Sequence, residues 1–281
     1  MQDYPNAGSP DASRPEGRLP EDVTYMRTMI SNVIMIGMPG SSQWVLVDAG
    51  MPGSASKIIN AARERFGTEK PQAILLTHGH FDHTGSIDDL IELFPDVPIY
   101  AHELELPFLT GKADYPPGDP TVGGGLMAAS APLYPNKGID IGSSVRALPA
   151  DGSVPFLPDW HWLHTPGHSE GHVSFFRSMD GTLIVGDAFI TVKQESALAV
   201  LTQRREIHGP PTYFTPNWEA ARTSVARLVA LRPSSAVTGH GEPMAGEELI
   251  QGLEHLSSEF DRIAVPASGR YVDSAHIDPE A

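Results

Sequence analysis

A buried-looking strand that runs directly into four metal-capable side chains constrains this chain more than any other feature of its sequence. The run Ile74-Leu75-Leu76-Thr77 is apolar enough for a buried strand, and His-x-His-x-Asp-His follows it at residues 78–83. Residues two apart on an extended strand end point the same way. His78 and His80 are therefore able to reach one metal ion together.

The last two members of the motif lie on a different local structure. Asp82 and His83 open a helical-looking segment, expected over Thr84–Phe94, and can face a second point near the first. A structural zinc site is disfavoured because such sites are mostly rich in thiolates, and the chain contains no cysteine. Imidazole and carboxylate ligands at a strand end favour a hydrolytic metal with an open position. The alternative interpretation is a histidine-rich surface turn.

The charge of the chain narrows its partners. With 35 acidic and 19 basic residues, the formal net charge is -16, which disfavours binding to nucleic acid or to an anionic membrane surface. Residues 1–22 lack the apolar core of a secretory signal, and no run reaches the roughly 18 apolar residues of a membrane span. We expect a soluble, cytoplasmic protein that acts on a small-molecule substrate. The arm of residues 1–22 is a candidate for packing on a second subunit of a homodimer.

Apolar periodicity predicts a similar order of elements in each half of the chain, with strands first and then strands and helices. The predicted strands are Val23–Met29, Asn32–Ile36, Trp44–Asp48, Ile74–Thr77, Pro98–Tyr100, Val145–Leu148, Trp160–His164, Val173–Arg177, Leu183–Gly186 and Ser235–Thr238. Further helices are predicted over Ser54–Phe66, from a cap at Thr215–Pro216, and over about Gly246–Phe260. Two facing sheets with helices outside satisfy both halves. We therefore expect an α/β (α+β) domain over residues 23–263, between the arm and a loose tail of residues 264–281.

Two irregular stretches interrupt this order. Residues 103–144 and 191–215 are rich in Pro and Gly, which excludes long regular elements. Long irregular segments inside a compact domain are usually functional or disordered. We expect both to shape a substrate pocket, and for residues 103–144 the alternative is a surface insertion without a role.

Five short motifs, in order along the chain, resemble the metallo-β-lactamase-fold superfamily of metal-dependent hydrolases. They are Val47-Asp48-Ala49-Gly50, His78-Gly79-His80-Phe81-Asp82-His83, Thr165-Pro166-Gly167-His168, Gly186-Asp187-Ala188 and Thr238-Gly239-His240-Gly241. The resemblance implies an αββα sandwich, in which two facing mixed β-sheets carry helices on their outer faces. It also implies one metal site made by His78, His80 and His168, a second made by Asp82, His83 and His240, and Asp187 as the bridge between them.

The resemblance further implies how such a site acts. Two zinc ions, or iron or manganese in their place, hold a shared hydroxide that serves as the nucleophile. Asp82 is then both a metal ligand and the catalytic residue that orients this hydroxide. Asp48 is positioned to fix a ligand imidazole through its other nitrogen, and a simple turn carboxylate is the alternative role for Asp48.

The substrate is less constrained than the metal chemistry. Asp187 disfavours a dedicated β-lactamase, since those enzymes usually lack the bridging aspartate. Ile190 stands where related acyl-homoserine-lactone lactonases have a tyrosine, so Tyr115 or Tyr213 is expected to take that place, and His208 is a further pocket candidate. A glutathione thioester, the glyoxalase II substrate, is disfavoured because the segment after His240 is short and has no lysine. We expect cleavage of an ester, lactone or thioester of uncharged or modestly apolar character.

Other chemistries remain open on the same residues. A mononuclear iron persulfide dioxygenase would use His78, His80 and a carboxylate and leave the second site empty. A phosphotriester or β-lactam hydrolase would use the complete dinuclear site. A third alternative is a metal-binding protein without catalysis. Metal content separates the first of these from a dinuclear hydrolase.

Overall fold

The computed structural model describes residues 19–123 and 125–272, and two six-stranded sheets organise them. Strands of the first sheet lie in chain order. The first three strands pair antiparallel, and the third to the sixth pair in parallel. These strands are β1 (Val23–Thr28), β2 (Ser31–Ile36), β3 (Val45–Val47), β4 (Ala73–Leu75), β5 (Ile99–Ala101) and β6 (Val145–Ala147). The sheet is therefore mixed.

The second sheet is also mixed. Its neighbouring strands pair antiparallel, except that the fourth and fifth strands in chain order pair in parallel. The strands are β7 (Ser153–Val154), β8 (Leu157–His164), β9 (Val173–Arg177), β10 (Thr182–Gly186), β11 (Ser235–Thr238) and β12 (Met244–Ala245).

The helices are α1 (Ala55–Phe66), α2 (Phe81–Thr84), α3 (Ile87–Leu93), α4 (Leu106–Leu109), α5 (Leu126–Ala129), α6 (Ala197–Thr202), α7 (Trp218–Ala230), α8 (Gly246–Ser258) and α9 (Phe260–Ile263). Short 3-10 turns cover Glu103–Glu105, Pro120–Val122, Ala131–Leu133, Gly142–Ser144 and Thr212–Phe214.

Alternate residues of the central strands enter different apolar layers. On β2, Ile34 and Ile36 face the core between the two sheets, whereas Val33 and Met35 face the layer beneath α1 and α3. On β10, Ile184 joins the core between the sheets, and its neighbours join the layer beneath α7 and α8. Because side chains alternate across a strand, strands covered on both faces need continuous apolar runs. This produces the expected αββα sandwich, and the prediction of the fold is confirmed.

Local boundaries differ from the sequence predictions where tertiary contacts intervene. The helix expected over Thr84–Phe94 is instead split into α2 and α3. Gly85 donates its N–H to the carbonyl oxygen of Gly50 over 2.8 Å, and a Cβ atom at Gly85 would overlap Pro52. The close passage of the loop before α1 therefore interrupts the helix at this point.

The start of α7 also differs from its prediction. Asn217, and not Thr215, caps the helix, since its side chain accepts a hydrogen bond from the N–H of Ala220 over 3.0 Å. The Thr215 hydroxyl instead donates to the carbonyl oxygen of Pro211 over 2.7 Å. The stretch 191–215, expected to be irregular, contains the short helix α6.

The C-terminal segment is packed against the body of the domain as far as it is described. Ala264 is buried, the Ser268 hydroxyl donates to the carbonyl oxygen of Thr121, and the Tyr271 hydroxyl donates to that of Pro117. Residues 264–272 therefore differ from the loose tail that we expected. The rest of that predicted tail and most of the predicted arm lie outside the described residues. Within the described ranges, no helix has both the length and the apolar character needed to cross a membrane.

Candidate metal centre

The candidate metal ligands lie at one edge of the sandwich because they follow strands that end there. His78 and His80 follow β4, Asp187 directly follows β10, and His240 comes two residues after β11. His168 lies in the loop between β8 and β9. Asp82 and His83 lie on α2, which starts directly after His80. All seven predicted ligands are buried.

Three imidazole groups form a first cluster. One ring nitrogen each from His78, His80 and His168 lie within 4.8 Å of one another. Nδ1 of His80 and Nε2 of His168 are 2.9 Å apart. Ring nitrogens this close to one another could bind a single ion together. We call this cluster the three-histidine triad.

A second cluster shares a carboxylate with the first. Ligand atoms of Asp82, His83 and His240 also lie within 4.8 Å of one another, and we call them the mixed triad. Oδ2 of Asp187 lies 3.4 Å from Nε2 of His168 and 3.0 Å from Nε2 of His240. The same oxygen lies 3.6 Å from Nε2 of His83, so Asp187 contacts one member of the three-histidine triad and two of the mixed triad, as a bridging carboxylate would.

Unsatisfied polar atoms test whether this cluster fits metal ions. Nε2 of His78, Nε2 of His83 and Oδ1 of Asp187 are buried and have no hydrogen-bond partner. An unpartnered buried polar atom costs about 1–3 kcal/mol, so three of them close together call for a ligand. Nitrogen and carboxylate oxygen donors suit zinc and iron. The residues present therefore fit a pair of such ions.

The three-histidine triad is held in the uncharged form that metal binding requires. Burial lowers the pKa of His78 and of His168 well below the usual value, and neighbouring imidazoles lower both further. Burial, followed by the charge of His83, lowers the pKa of His80 to about 3. All three rings keep a lone pair at neutral pH.

The mixed triad has the opposite electrostatics when metal is absent. Burial lowers the pKa of His83, but the carboxylates of Asp187, Asp82 and Asp48 outweigh burial and raise that pKa well above its usual value. Burial also opposes the raised pKa of His240, where the charge of Asp187 prevails. These acidic groups would stabilise a cation at this point, whether it is a proton or a metal ion.

Second contacts orient several of the rings. Asp48 Oδ2 lies 2.9 Å from Nδ1 of His83 and accepts a hydrogen bond from the Thr77 hydroxyl over 2.8 Å. The same hydroxyl lies 3.0 Å from Nδ1 of His78. On the other side, Nδ1 of His240 lies 2.7 Å from the carbonyl oxygen of Ile30. Each of these rings thus has its second nitrogen engaged, which leaves Nε2 free for an ion.

Two glycines leave room for the ligands. A Cβ atom at Gly79, between the first two histidines, would overlap the Tyr115 hydroxyl. A Cβ atom at Gly239 would overlap Oδ1 of Asp187 and lie 2.7 Å from the His83 ring. Both positions need glycine because of close approach rather than an unusual backbone angle.

A narrow cleft opens onto the cluster. Its accessible volume is only about 10 Å³, and aromatic rings form much of its wall. The lining residues are Ile30, His80, Phe81, Asp82, Tyr134, His168, Asp187, Pro211, Tyr213, Phe214 and His240. Both irregular stretches contribute, through Tyr134 and through residues 211–214. None of the described residues that line the cleft is Lys or Arg.

Of the four residues predicted to bind substrate, the structure places only Tyr213 in the wall of the cleft. The hydroxyl of Tyr115 donates to Glu105, so it is already engaged. Ile190 is buried and pairs through its backbone with His208, and neither residue lines the cleft. The sequence did not predict that Phe81, Tyr134 and Phe214 line the cleft, because the positions of these side chains depend on how the loops pack.

Comparison with known proteins places the chain among metal-dependent enzymes. The sequence profile of the metallo-β-lactamase superfamily matches residues 26–240. A Bacillus subtilis (strain 168) protein named "Probable metallo-hydrolase YflN" is 49% identical over 240 residues, which are 85% of this chain and 90% of that protein.

Solved structures show the same similarity. The structure titled "Crystal structure of TTHA1623 in a di-iron-bound form" has a TM-score of 0.53 and 26% identity, and covers 85% of this chain and 98% of its own. BLEG-1, described as a B3 metallo-β-lactamase, has a TM-score of 0.56 and 24% identity, with 82% and 97% coverage. The BLEG-1 similarity is one of fold.

Proposed function

The chain belongs to the metallo-β-lactamase superfamily, and on that premise we propose that it is a dinuclear zinc-dependent hydrolase of an ester, lactone or thioester bond. The three-histidine triad would hold one ion and the mixed triad the other, and Asp187 would contribute its carboxylate to both. The observation that carries this proposal is the convergence of the two triads on Asp187, with buried atoms of His78, His83 and Asp187 unpartnered.

A complete second triad supports two ions rather than one. A mononuclear site would leave Nε2 of His83 buried without a partner, which costs free energy. The di-iron form of TTHA1623, which is 26% identical to this chain, supports a dinuclear site of this kind. We propose zinc because imidazole and carboxylate donors with an open position suit it, and iron or manganese remain alternatives.

Two bound zinc ions supply a hydroxide nucleophile at neutral pH and polarise a substrate carbonyl group. The protein's own side chains would align the nucleophile and donate a hydrogen bond to the substrate. Asp82 lines the cleft, where its carboxylate would accept a hydrogen bond from the hydroxide nucleophile and so orient it. Burial, and then the nearby carboxylates of Asp82 and Glu195, raise the pKa of Tyr213 well above its usual value. The Tyr213 hydroxyl therefore stays protonated and can donate to an oxygen of the substrate.

The cleft wall supports an uncharged acyl substrate. Phe81, Tyr134 and Phe214 offer apolar surface, which packs against apolar or aromatic groups. The carboxylates of Asp82 and Asp187 also face the cleft, and no Lys or Arg lines it within the described part of the chain. An anionic substrate group such as the β-lactam carboxylate would therefore lack a cationic partner there.

Elemental analysis combined with a substrate panel tests the proposal. The panel holds neutral aryl esters, aliphatic lactones, thioesters, penicillin-type β-lactams and phosphotriesters, each assayed with protein of known metal content. We expect two zinc ions per chain and the highest kcat/KM on a neutral ester, lactone or thioester. Asp187→Asn is expected to lose both activity and metal, while the exposed Asp159→Asn is the matched control.

Several results contradict the proposal in distinct ways. One iron per chain with oxygen-dependent consumption of a persulfide would assign the protein to the dioxygenases. Two metal ions with a preference for phosphotriesters or β-lactams would keep the site and replace the substrate class. A homodimer stays a prediction that sedimentation velocity measures independently of these assays.

A further inference from the structure

Glu105 is a fully buried acidic residue that lies outside both ligand triads. It ends the 3-10 turn that follows β5, and its exposed fraction is 0%. Glutamate is rarely buried to this degree unless it is paired. Glu105 accepts hydrogen bonds from uncharged donors. Its surroundings therefore require the shape of a carboxylate, with two acceptor oxygens.

Each oxygen of this carboxylate accepts two hydrogen bonds. Oε2 accepts from the N–H of Gly79 over 3.1 Å and from the Tyr115 hydroxyl. Oε1 accepts from the N–H of Gly171 over 3.0 Å and from the Ser169 hydroxyl. Four donors from three separate segments therefore converge on one side chain.

The donors lie beside the ligands of the three-histidine triad. Gly79 separates His78 from His80, and Ser169 directly follows His168. Tyr115 packs its ring on the His80 imidazole at a centroid distance of 4.6 Å. Oε2 thus holds the loop of the first two histidines, while Oε1 holds the loop of the third.

The packing around Glu105 leaves little freedom. A Cβ atom at Gly171 would lie 2.7 Å from the N atom of Glu105 and 2.8 Å from its Cγ atom. A Cβ atom at Gly79 would overlap the Tyr115 hydroxyl. The two loops are therefore in close contact with Glu105 and its partner, as a spacing device requires.

The mixed triad is oriented by other groups. His83 contacts Asp48, and His240 contacts the carbonyl oxygen of Ile30. Neither of these contacts involves Glu105. A substitution at Glu105 should therefore change the geometry of the three-histidine triad and leave that of the mixed triad unchanged.

We propose that Glu105 is a positioning residue that sets the spacing of His78 and His80 from His168, and so determines the affinity of the three-histidine triad for its ion. This inference rests on the proposed dinuclear function. Loss of a residue that orients metal ligands typically weakens metal binding 10–100-fold. The effect is confined to one of the two ions.

Glu105→Gln tests this with little change in shape. The amide NH₂ group that replaces one oxygen cannot accept, so it faces two donors on one side of the carboxylate position. Stepwise dissociation constants for zinc are measured by competition with a chromophoric chelator. Zinc-edge anomalous scattering from crystals at limiting metal shows which triad is filled. We expect one constant to rise about 10–100-fold and the three-histidine triad to be the one that empties.

Glu103→Gln is the matched control, because it lies on the same 3-10 turn, removes the same charge and is exposed. We expect both of its zinc constants to equal those of the unmodified protein. Ser169→Ala and its double variant with Glu105→Gln provide a second measurement. Their effects on the weakened constant should be less than additive, because the two groups share one hydrogen bond.

The outcomes separate this inference from the proposed function. If the unmodified protein binds fewer than two ions, the dinuclear function fails. If it binds two and Glu105→Gln weakens neither ion, or weakens both equally, the positioning role is wrong while the dinuclear site stands. If Glu105→Gln does not fold, Tyr115→Phe and Ser169→Ala each remove a single donor and must selectively weaken the three-histidine triad.

Discussion

At the scale of single residues, Asp48 connects the two triads through its Oδ2 atom and the Thr77 hydroxyl. It directly follows β3 with a φ of 61°, a left-handed conformation that few residues other than glycine adopt. Its Oδ2 atom contacts His83, and both of its oxygens receive hydrogen bonds from Thr77, which in turn contacts His78. From these contacts we propose that Asp48 fixes ligand imidazoles, and a simple turn carboxylate stays the alternative.

Asp48→Asn is expected to weaken the binding of both ions by about 10–100-fold, since it disturbs His83 directly and His78 through Thr77. Asparagine tolerates a positive φ, so backbone strain adds little. Stepwise zinc competition measures the effect, with the exposed Asp159→Asn as control. A loss confined to one ion would show that the hydrogen bond through Thr77 does not matter.

Tyr213 is the predicted pocket residue that lines the cleft. Tyr213→Phe is expected to lower kcat by about 100-fold, because it removes a donor to substrate oxygen, with a smaller change in KM. Tyr134→Phe is the comparison, since the Tyr134 hydroxyl contacts Met127 Sδ at 3.5 Å, and its kcat should fall much less. Equal effects from both variants would count against a donor role for Tyr213.

At the scale of elements, the ligands meet because several strands end at the same edge of the sandwich. Three strands deliver a polar residue one to three positions after their last apolar residue, namely Asp48 after β3, Asp187 after β10 and His240 after β11. Helix α7 supports this edge from outside, where Ala221 packs so closely that a Cβ atom at Gly167 would lie 2.6 Å from it. The position of α7 therefore affects the loop that carries His168.

The N-terminus of α7 offers a test of element stability. Asn217→Ala is expected to destabilise the protein by about 1 kcal/mol, because it removes the side-chain acceptor for the N–H of Ala220. Ser54→Ala is the matched control, since Ser54 occupies the N-cap position of α1 without making a side-chain cap. Urea unfolding of both variants provides the comparison, and equal destabilisation would contradict the capping role of Asn217.

At the scale of the whole molecule, the two sheets are joined by their apolar core and by the metal centre at one edge. Ligands come from both sheets, since β4 belongs to the first and β10 and β11 belong to the second. Bound ions would therefore connect the halves of the sandwich. Their removal leaves buried carboxylates and imidazoles facing one another.

Removal of metal by a chelator is expected to lower Tm by about 10–20 °C. Each ion at a free concentration of 100 times its Kd contributes about 2.7 kcal/mol, and each kcal/mol corresponds to about 2–4 °C in a domain of this size. Differential scanning calorimetry with and without chelator measures the shift, and added zinc should restore it. Unchanged Tm after verified metal loss would mean that the ions do not connect the sheets.

The sequence alone was sufficient to predict the αββα fold and to locate the strand ends where polar residues meet. Apolar runs that end in histidine or aspartate are local signals. The motif at residues 78–83 contains four potential metal ligands, three histidines and one aspartate, within six positions. The structure brings all seven predicted ligands together. Their roles as ligands stay a proposal until metal is measured.

Tertiary structure alone decided which residues surround that cluster. Glu105 belongs to no sequence motif. The four groups that donate hydrogen bonds to it come from segments that meet only when the chain folds. Tyr115 and Tyr213 are both tyrosines in irregular stretches, yet one is engaged by a buried carboxylate and the other faces the cleft. Sequence patterns report periodicity and local chemistry, whereas the partner of a loop side chain depends on contacts between residues far apart in the chain.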